Sequence, residues 1–403
     1  MFFFGAENKY NAIKSILDGD FSRVSEIIGF AEENGLGGNI LQKHIAWMIA
    51  SDENVFSISC ERRGCGESSL ARCAEADISK LRRMFNSAET FSNEWSSILQ
   101  DYVPENQSIT DLGKTVSEFS RSLRAAQTLK AFFDSVVEFY RDNGVGIFGL
   151  NKAFYLTDDR KICAVSNFKA VFLNDLYGYE YQKKLLEENT KAFVLHRQAN
   201  NALLYGDSGT GKSTSIKAVL NEYFKDGLRM IQIQKHQFAD LNWLMGIIRN
   251  RNYRFIVYLD DLSFDENETD YKYLKAAIEG GFEEKPENML VYATSNRRHL
   301  IKENWDERDG NDVHRNESIQ EKVSLSERFG LSINYSNPYQ QEYLEIVKHL
   351  MAKQNIKADE QAVIRAAKSW AVMHGGFSGR VAEQFVNDFK AKQCLCAEKP
   401  NDL

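Results

Sequence analysis

Two short stretches of this 403-residue chain carry residue types whose spacing can handle a nucleotide phosphate. The first is YGDSGTGKST, Tyr205 to Thr214, which fits G-x-x-x-x-G-K-[ST] at Gly206, Gly211, Lys212 and Ser213. Glycines at that spacing let a loop curl until its backbone N–H groups face a phosphate, and the following helix adds the positive end of its dipole. Lys212 would then reach the β- and γ-phosphates of ATP, and the Ser213 hydroxyl would ligate Mg²⁺. The whole loop is the candidate nucleotide-binding set: Gly206, Asp207, Ser208, Gly209, Thr210, Gly211, Lys212, Ser213 and Thr214.

The second stretch is RFIVYLDDLSF, in which an apolar strand delivers Asp260 and Asp261 at its C-terminal end. That end is where open α/β sheets bind ligands. Asp260 suits Mg²⁺, held through its water shell. Asp261 stands where a catalytic Glu usually polarises the attacking water, and it is one methylene shorter.

These residues need a frame. Residues 1 to about 145 carry apolar residues at helical spacing, as in YNAIKSILDGDFSRVSEIIGFAEEN, where Asp18 and Asp20 flank a break. TVSEFSRSLRAAQTLKAFFDSVVEFYRDNG reads as one long amphipathic helix stopped at Gly144. KAFYLTDDRKICAV then reads as two short strands around an Asp-Asp turn. From Asn201 the apolar runs NALLYG, LRMIQI, FIVYLDD, MLVYATS and LSINYS follow in order, the earlier ones separated by helical segments. That alternation predicts a five-stranded parallel sheet covered on both faces, an α/β fold of αβα layers. After Pro338 the pattern is helical again.

The strand LRMIQI, inserted between the phosphate loop and the acidic strand, separates this chain from adenylate-kinase-like and G-protein-like proteins. At this point the chain resembles the AAA+ P-loop ATPases, over about residues 168 to 390. VYATSN looks like their sensor 1, with Asn296 set to orient water. LSERFGL puts Arg328 where the family carries its arginine finger, a residue that completes a neighbouring subunit's site. A surface ion pair with Glu327 is the competing reading, and Arg297, Arg298, Arg308 and Arg315 are rival fingers. GGFSGRVAEQF resembles sensor 2: Gly379 opens a helix and Arg380 would reach the phosphates. An Arg in a first helical turn opposes the helix dipole, which suits an anionic ligand. LNDLYGYEYQ looks like the adenine-side segment, with Leu176, Tyr177 and Gly178 near the base. More narrowly, NNALLYGDSGTGKST, DDLSF, YATSNRRHLI, LSERFGL and SGR resemble a bacterial AAA+ family known mainly as predicted ATP-binding proteins.

Composition bounds the partners. Residues 1–150 carry 15 Lys+Arg against 21 Asp+Glu, and the remainder 35 against 36, so no domain has the basic excess typical of nucleic-acid binders. No window offers 18 uninterrupted apolar residues, and the start MFFFGAENKYN turns polar too soon for a signal sequence, so the cytoplasm is the expected compartment. Cys60, Cys65 and Cys73 have no fourth ligand nearby, which favours reduced thiols over a zinc site, with Cys163, Cys394 and Cys396 read the same way. Phe238 and Trp243 in QKHQFADLNWLMG read as helix-packing residues, since they lack the aromatic-hydrophobic-Gly pattern of protein-threading pore loops.

The expected organisation is an all-helical N-terminal domain (1–147), a short β-containing linker with the adenine-side segment (148–180), the AAA+ core (181–337) and a helical lid (338–403). The resemblance implies sheet order 5-1-4-3-2 and a homo-oligomer, a ring or hexamer. It implies Mg-dependent ATP hydrolysis between subunits, with Lys212, Asp261, Asn296 and Arg328 catalytic. The client would be a macromolecule, a protein rather than nucleic acid, recruited by residues 1–150. Two alternatives are a slow-hydrolysing ATP switch, favoured by the shorter Asp261, and a nucleic-acid-associated loader.

Overall fold

Helix capping decides where the chain turns in its first part. In a computed structural model, residues 3–4, 10–65, 68–90, 92, 95–264, 268–279, 284–296 and 325–397 are described, with side chains to 393. They form two compact units. The first comprises Met1–Lys152, Cys163–Val165 and Asn250–Asn252, and the second the remainder.

In the first unit the described helices are α1 (Asn11–Leu17), α2 (Val24–Asn34), α3 (Ile40–Ser51), α4 (Val55–Arg63), α5 (Ser69–Thr90), α6 (Ser96–Gln100), α7 (Asp111–Ala125), α8 (Leu129–Asp142) and α9 (Gly146–Leu150). Gly35, at φ 63°, stops α2, and the Asn39 side chain accepts from Gln42 N–H to start α3. The segment read as one long helix is two. Ala126 turns extended, and Thr128 accepts the Ala131 N–H as the N-cap of α8. A threonine hydroxyl that satisfies an orphan donor starts a helix even where the apolar spacing runs on. The core is aliphatic and aromatic, with Ile45, Ile49, Phe56, Leu81 and Phe132 fully buried. Phe119 and Phe139 stack across α7 and α8 with centroids 3.9 Å apart.

The second unit is built on its sheet. Its strands are β1 (Ala153–Leu156), β3 (Ala202–Gly206), β4 (Leu228–Gln232), β5 (Arg254–Leu259), β6 (Met289–Ser295) and β7 (Leu331–Tyr335), while β2 (Ile162–Ala164) shares only Ile162 with this unit. The order is β2-β1-β4-β5-β6-β3-β7. The five strands expected from the sequence therefore lie in the order 5-1-4-3-2, all parallel, and the sheet continues beyond β4 to β1, again in parallel. β1 joins because AFYL is apolar enough to extend the buried sheet, with three of its four residues buried. All seven residues of β6 are buried, as strands of a sheet covered on both faces should be.

Around the sheet lie α10 (Glu180–Val194), α11 (Lys212–Tyr223), α12 (Leu241–Ile248) and α13 (Tyr271–Glu279). Then come α14 (Gln340–Lys353), α15 (Glu360–Met373) and α16 (Gly379–Ala397), which share a small core of Tyr343, Val347, Val363, Ala367, Phe385 and Val386. Phe238 is buried and packs on Phe264, while Trp243 is half-buried on α12. Among the described residues no helix is long and apolar enough to cross a membrane. Cys60, Cys65, Cys73 and Cys163 are free thiols, and the side chains of Cys394 and Cys396 lie outside the described residues.

Candidate functional site

Strand register brings the chemistry to one edge. β5 and β6 pair through Leu259↔Ala293, so Asp260 follows beside Thr294. β3 pairs with β6 through Tyr205↔Ser295 and with β7 through Gly206↔Tyr335. The C-terminal ends of four neighbouring strands therefore meet above α11. A cleft of about 560 Å³ opens there, lined among others by residues 208–215, Asp260, Asp261, Asn296 and Arg380.

The loop's glycines are needed for shape. Gly206 has φ 127°, and a Cβ there would come within 2.2 Å of the Tyr335 carbonyl oxygen. Gly209 has φ 76°, and its Cβ would stand 2.9 Å from the Arg380 Cβ. Neither conformation nor space admits a side chain. Asp207 fixes the loop's outer limb: its N–H donates to Tyr335 O at 2.9 Å, and its carboxylate accepts from the Asn337 N–H at 2.7 Å. The Thr210 hydroxyl donates back to Asp207 O at 2.8 Å. Gly211, at φ 94°, is the N-cap of α11, and Thr214 lines the cleft from its first turn.

Lys212 is buried and folded inward. Its ammonium donates to Gly206 O at 2.8 Å, Asp207 O at 2.6 Å and Asn296 Oδ1 at 3.2 Å. Burial holds its pKa below the ordinary lysine range, and the Arg380 charge adds to that against the pull of Asp207, Asp261 and Asp260.

The acids are held separately. Asp260 Oδ1 accepts from Ser213 Oγ at 2.8 Å and Thr294 Oγ1 at 2.7 Å. Burial alone would raise the Asp260 pKa; the hydroxyls of Tyr258, Thr294 and Ser213, with the Lys217 charge, hold it below the usual carboxylate value. Asp261 sits in the left-handed region at φ 53°, its N–H donating to Thr294 Oγ1 at 2.9 Å. The Asn296 amide donates to Asp261 Oδ1 at 2.9 Å.

The helical lid meets the loop directly. Arg380 lies in the first turn of α16, its N–H donates to Gly209 O at 3.1 Å, and its guanidinium reaches Ser208 Oγ at 3.4 Å. On the opposite wall, Leu176, Tyr177 and Gly178 precede α10, with Gly178 at φ 78°. Leu176 and Tyr177 line the cleft, and the Tyr177 ring lies 5.4 Å from that of His349 on α14.

The expected residues thus gather in one place, with one exception. Arg328 does not line the cleft; its guanidinium pairs with Glu279 at the end of α13. The rival arginines 297, 298, 308 and 315 lie outside the described residues. Sequence reading missed Thr294, although it stands two residues before Asn296, which directly follows β6. It also missed His349 and the Lys353–Asp175 ion pair, which line the base side and carry no motif.

The residues present fit Mg-ATP. The glycines have no room for Cβ atoms, a buried lysine faces the loop, and two hydroxyls converge on a carboxylate oxygen, a donor set that suits a hard cation.

Among solved structures the chain is similar to the Thermotoga maritima RuvB Holliday junction branch migration motor, at 15% identity and a TM-score of 0.42 over 57% of this chain and 67% of that one. The R170A form of that RuvB matches at 14% identity and a TM-score of 0.40, over 56% and 66%. No curated protein sequence matches. The family model described as "protein of unknown function (DUF815)" matches residues 150–393. That match spans more than half of the chain, which therefore belongs to the DUF815 family.

Proposed function

We propose that this chain is a Mg-dependent ATP hydrolase of the AAA+ type, working as a homo-oligomer on a macromolecular client. The observation that carries the reading is the convergence of the phosphate loop, the acidic pair, Asn296 and Arg380 on one cleft. Lys212 and Arg380 would both bind the phosphates, and Ser213 with Asp260 would hold Mg²⁺. Bound there, Mg²⁺ supplies charge neutralisation on the β- and γ-phosphates. Asp261, oriented by Asn296, would accept a proton from the attacking water or align it. Tyr177 and Leu176 would cover the base.

Arg328 supports the homo-oligomer. It lies off its own cleft, so it would serve a second copy's site, as the ring architecture of the resembling family implies. The acidic helical part, residues 1–147, would recruit a protein client.

The test is steady-state ATPase rate against protein concentration for the native chain, Lys212→Ala and Arg328→Ala. The reading expects a specific rate that climbs with concentration, no activity in Lys212→Ala, and a loss of about 10³–10⁵ in Arg328→Ala. A flat, very low rate with ATP still bound would favour the slow switch. One contact supports that second reading: Asn296 ties down the carboxylate of an acid already one methylene short. Strong, salt-sensitive DNA binding would instead favour the loader.

A further inference from the structure

We propose that Thr294 is a positioning residue that holds both acids of the site at once, and that the affinity of the site for Mg²⁺ depends on its hydroxyl. The inference rests on the ATPase reading and deepens it.

The argument is one of donor counting. A hydroxyl has one hydrogen and two lone pairs. An ionised Asp260 can only accept, so the 2.7 Å contact uses the Thr294 hydrogen. The 2.9 Å contact from the Asp261 N–H then uses a Thr294 lone pair. One side-chain oxygen therefore orients the Asp260 carboxylate and pins the backbone of Asp261, which sits in the left-handed region where a non-glycine residue needs support. Thr294 is 2% exposed, so neither contact is exchanged freely with water.

Ser213 does not duplicate this role. It donates to the same Asp260 oxygen at 2.8 Å, but in the bound state its oxygen is the candidate metal ligand. Once Ser213 turns to the cation, Thr294 still fixes Oδ1. Thr294 touches neither nucleotide nor metal in this scheme; it acts through the two aspartates.

The experiment uses the full chain and a fluorescent ATP analogue, titrated with EDTA and with Mg²⁺. The readout is the gain in affinity that Mg²⁺ brings. Thr294→Val keeps the shape and removes the hydroxyl; Thr294→Ser keeps the hydroxyl and removes the methyl. The proposal expects Thr294→Val to bind the analogue without Mg²⁺ as the native chain does, within about twofold. It expects the Mg²⁺ gain to shrink by about tenfold, KM for the Mg-nucleotide to rise in step, and kcat to fall by about tenfold or more. Thr294→Ser should recover both. A native-like Mg²⁺ gain and kcat in Thr294→Val would overturn the proposal while leaving the ATPase reading intact. So would a Thr294→Ser variant as impaired as the valine, since packing rather than the hydroxyl would then be at work. A native chain that binds the analogue no tighter with Mg²⁺ would overturn the reading itself, and this inference with it.

Discussion

Removing Arg251 should unfold the first unit well before the second. Residues 250–252 belong to that unit, and Arg251 is its most heavily bonded buried cation among those described. Its guanidinium meets both oxygens of Glu61, Nε to Oε1 and Nη2 to Oε2, each at 2.8 Å. It also donates to Glu53 Oε1 at 3.1 Å and to Val145 O at 2.8 Å, and lies 4.9 Å from the Phe148 ring centroid. Side-chain exposure is 7% for Arg251 and 1% for Glu61, so solvent does little to screen the pair. The Glu61 carboxylate further accepts from the Val145 N–H at 3.1 Å and the Asn252 N–H at 3.2 Å.

Arg251→Ala would strand that carboxylate. Breaking a buried pair by removing one partner costs about 3–5 kcal/mol, most of it from the uncompensated charge left behind. For a unit of this size that corresponds to a drop of about 6–20 °C in the first calorimetric transition. Glu61→Gln in the same chain removes the charge and keeps an acceptor for one of the two N–H groups, so Glu61→Gln/Arg251→Met should recover a measurable part of the loss. Scanning calorimetry of the native chain, the single variant and the double variant decides the matter. A single-variant loss below about 1 kcal/mol, or a double variant no better than the single, would refute the reasoning, because the stranded charge would then not be what destabilises.

Other expectations follow from the same reading. His44 is buried on α3 beside Phe30 and Trp47, and desolvation lowers its pKa from 6.5 to about 4 against a smaller opposing pull from Glu26. The unfolded chain thus takes up this proton first. Stability contributed above pH 6.5 is lost as pH falls toward 4, by about 3 kcal/mol in all, and chemical denaturation at pH 7 and 4.5 should show a smaller pH slope in His44→Gln. Gly209→Ala forces a left-handed alanine against Arg380, at a cost of about 1–2 kcal/mol. Its affinity for an ATP analogue, measured by titration, should fall about 5- to 30-fold, and the melting transition of the second unit should drop by about 2–8 °C. Asp261→Asn should keep ATP binding and lose about 10²–10⁴ in kcat; equal kcat in the two proteins would remove Asp261 from the chemistry.

What the sequence made legible follows from locality. Gly206, Gly211, Lys212 and Ser213 act through a single loop whose bonds span a few residues, so their spacing alone carries the geometry. The same holds for Gly379 and Arg380 at the start of one helix. What stayed hidden is pairing across distance. Apolar spacing runs in phase through Ala126 and Thr128, so only the capping hydroxyl, not the hydrophobic pattern, marks the split between α7 and α8. Nothing near Arg328 in the chain points to Glu279, and nothing near Arg251 points to Glu61.

Thr294 falls between these cases, and it shows how far pattern reading reaches once strand order is assumed. The expected order 5-1-4-3-2 already sets the strand ending in Asp260 beside the strand ending in Asn296. In parallel neighbours of similar length, the residue that follows one strand's apolar run lies level with a polar residue near the other's end. Along MLVYATSN that polar residue is Thr294, two residues before Asn296. The observed register, Leu259↔Ala293, gives the same pairing one step further on. A hydroxyl at that position can meet both the carboxylate and the next N–H only if the chain after β5 turns sharply, and the left-handed Asp261 is that turn. The departure from Glu to Asp then has a structural counterpart: a tight turn tied to Thr294 brings a short acid against Asn296, and the two substitutions, Asp261→Glu and Thr294→Val, should compound rather than compensate.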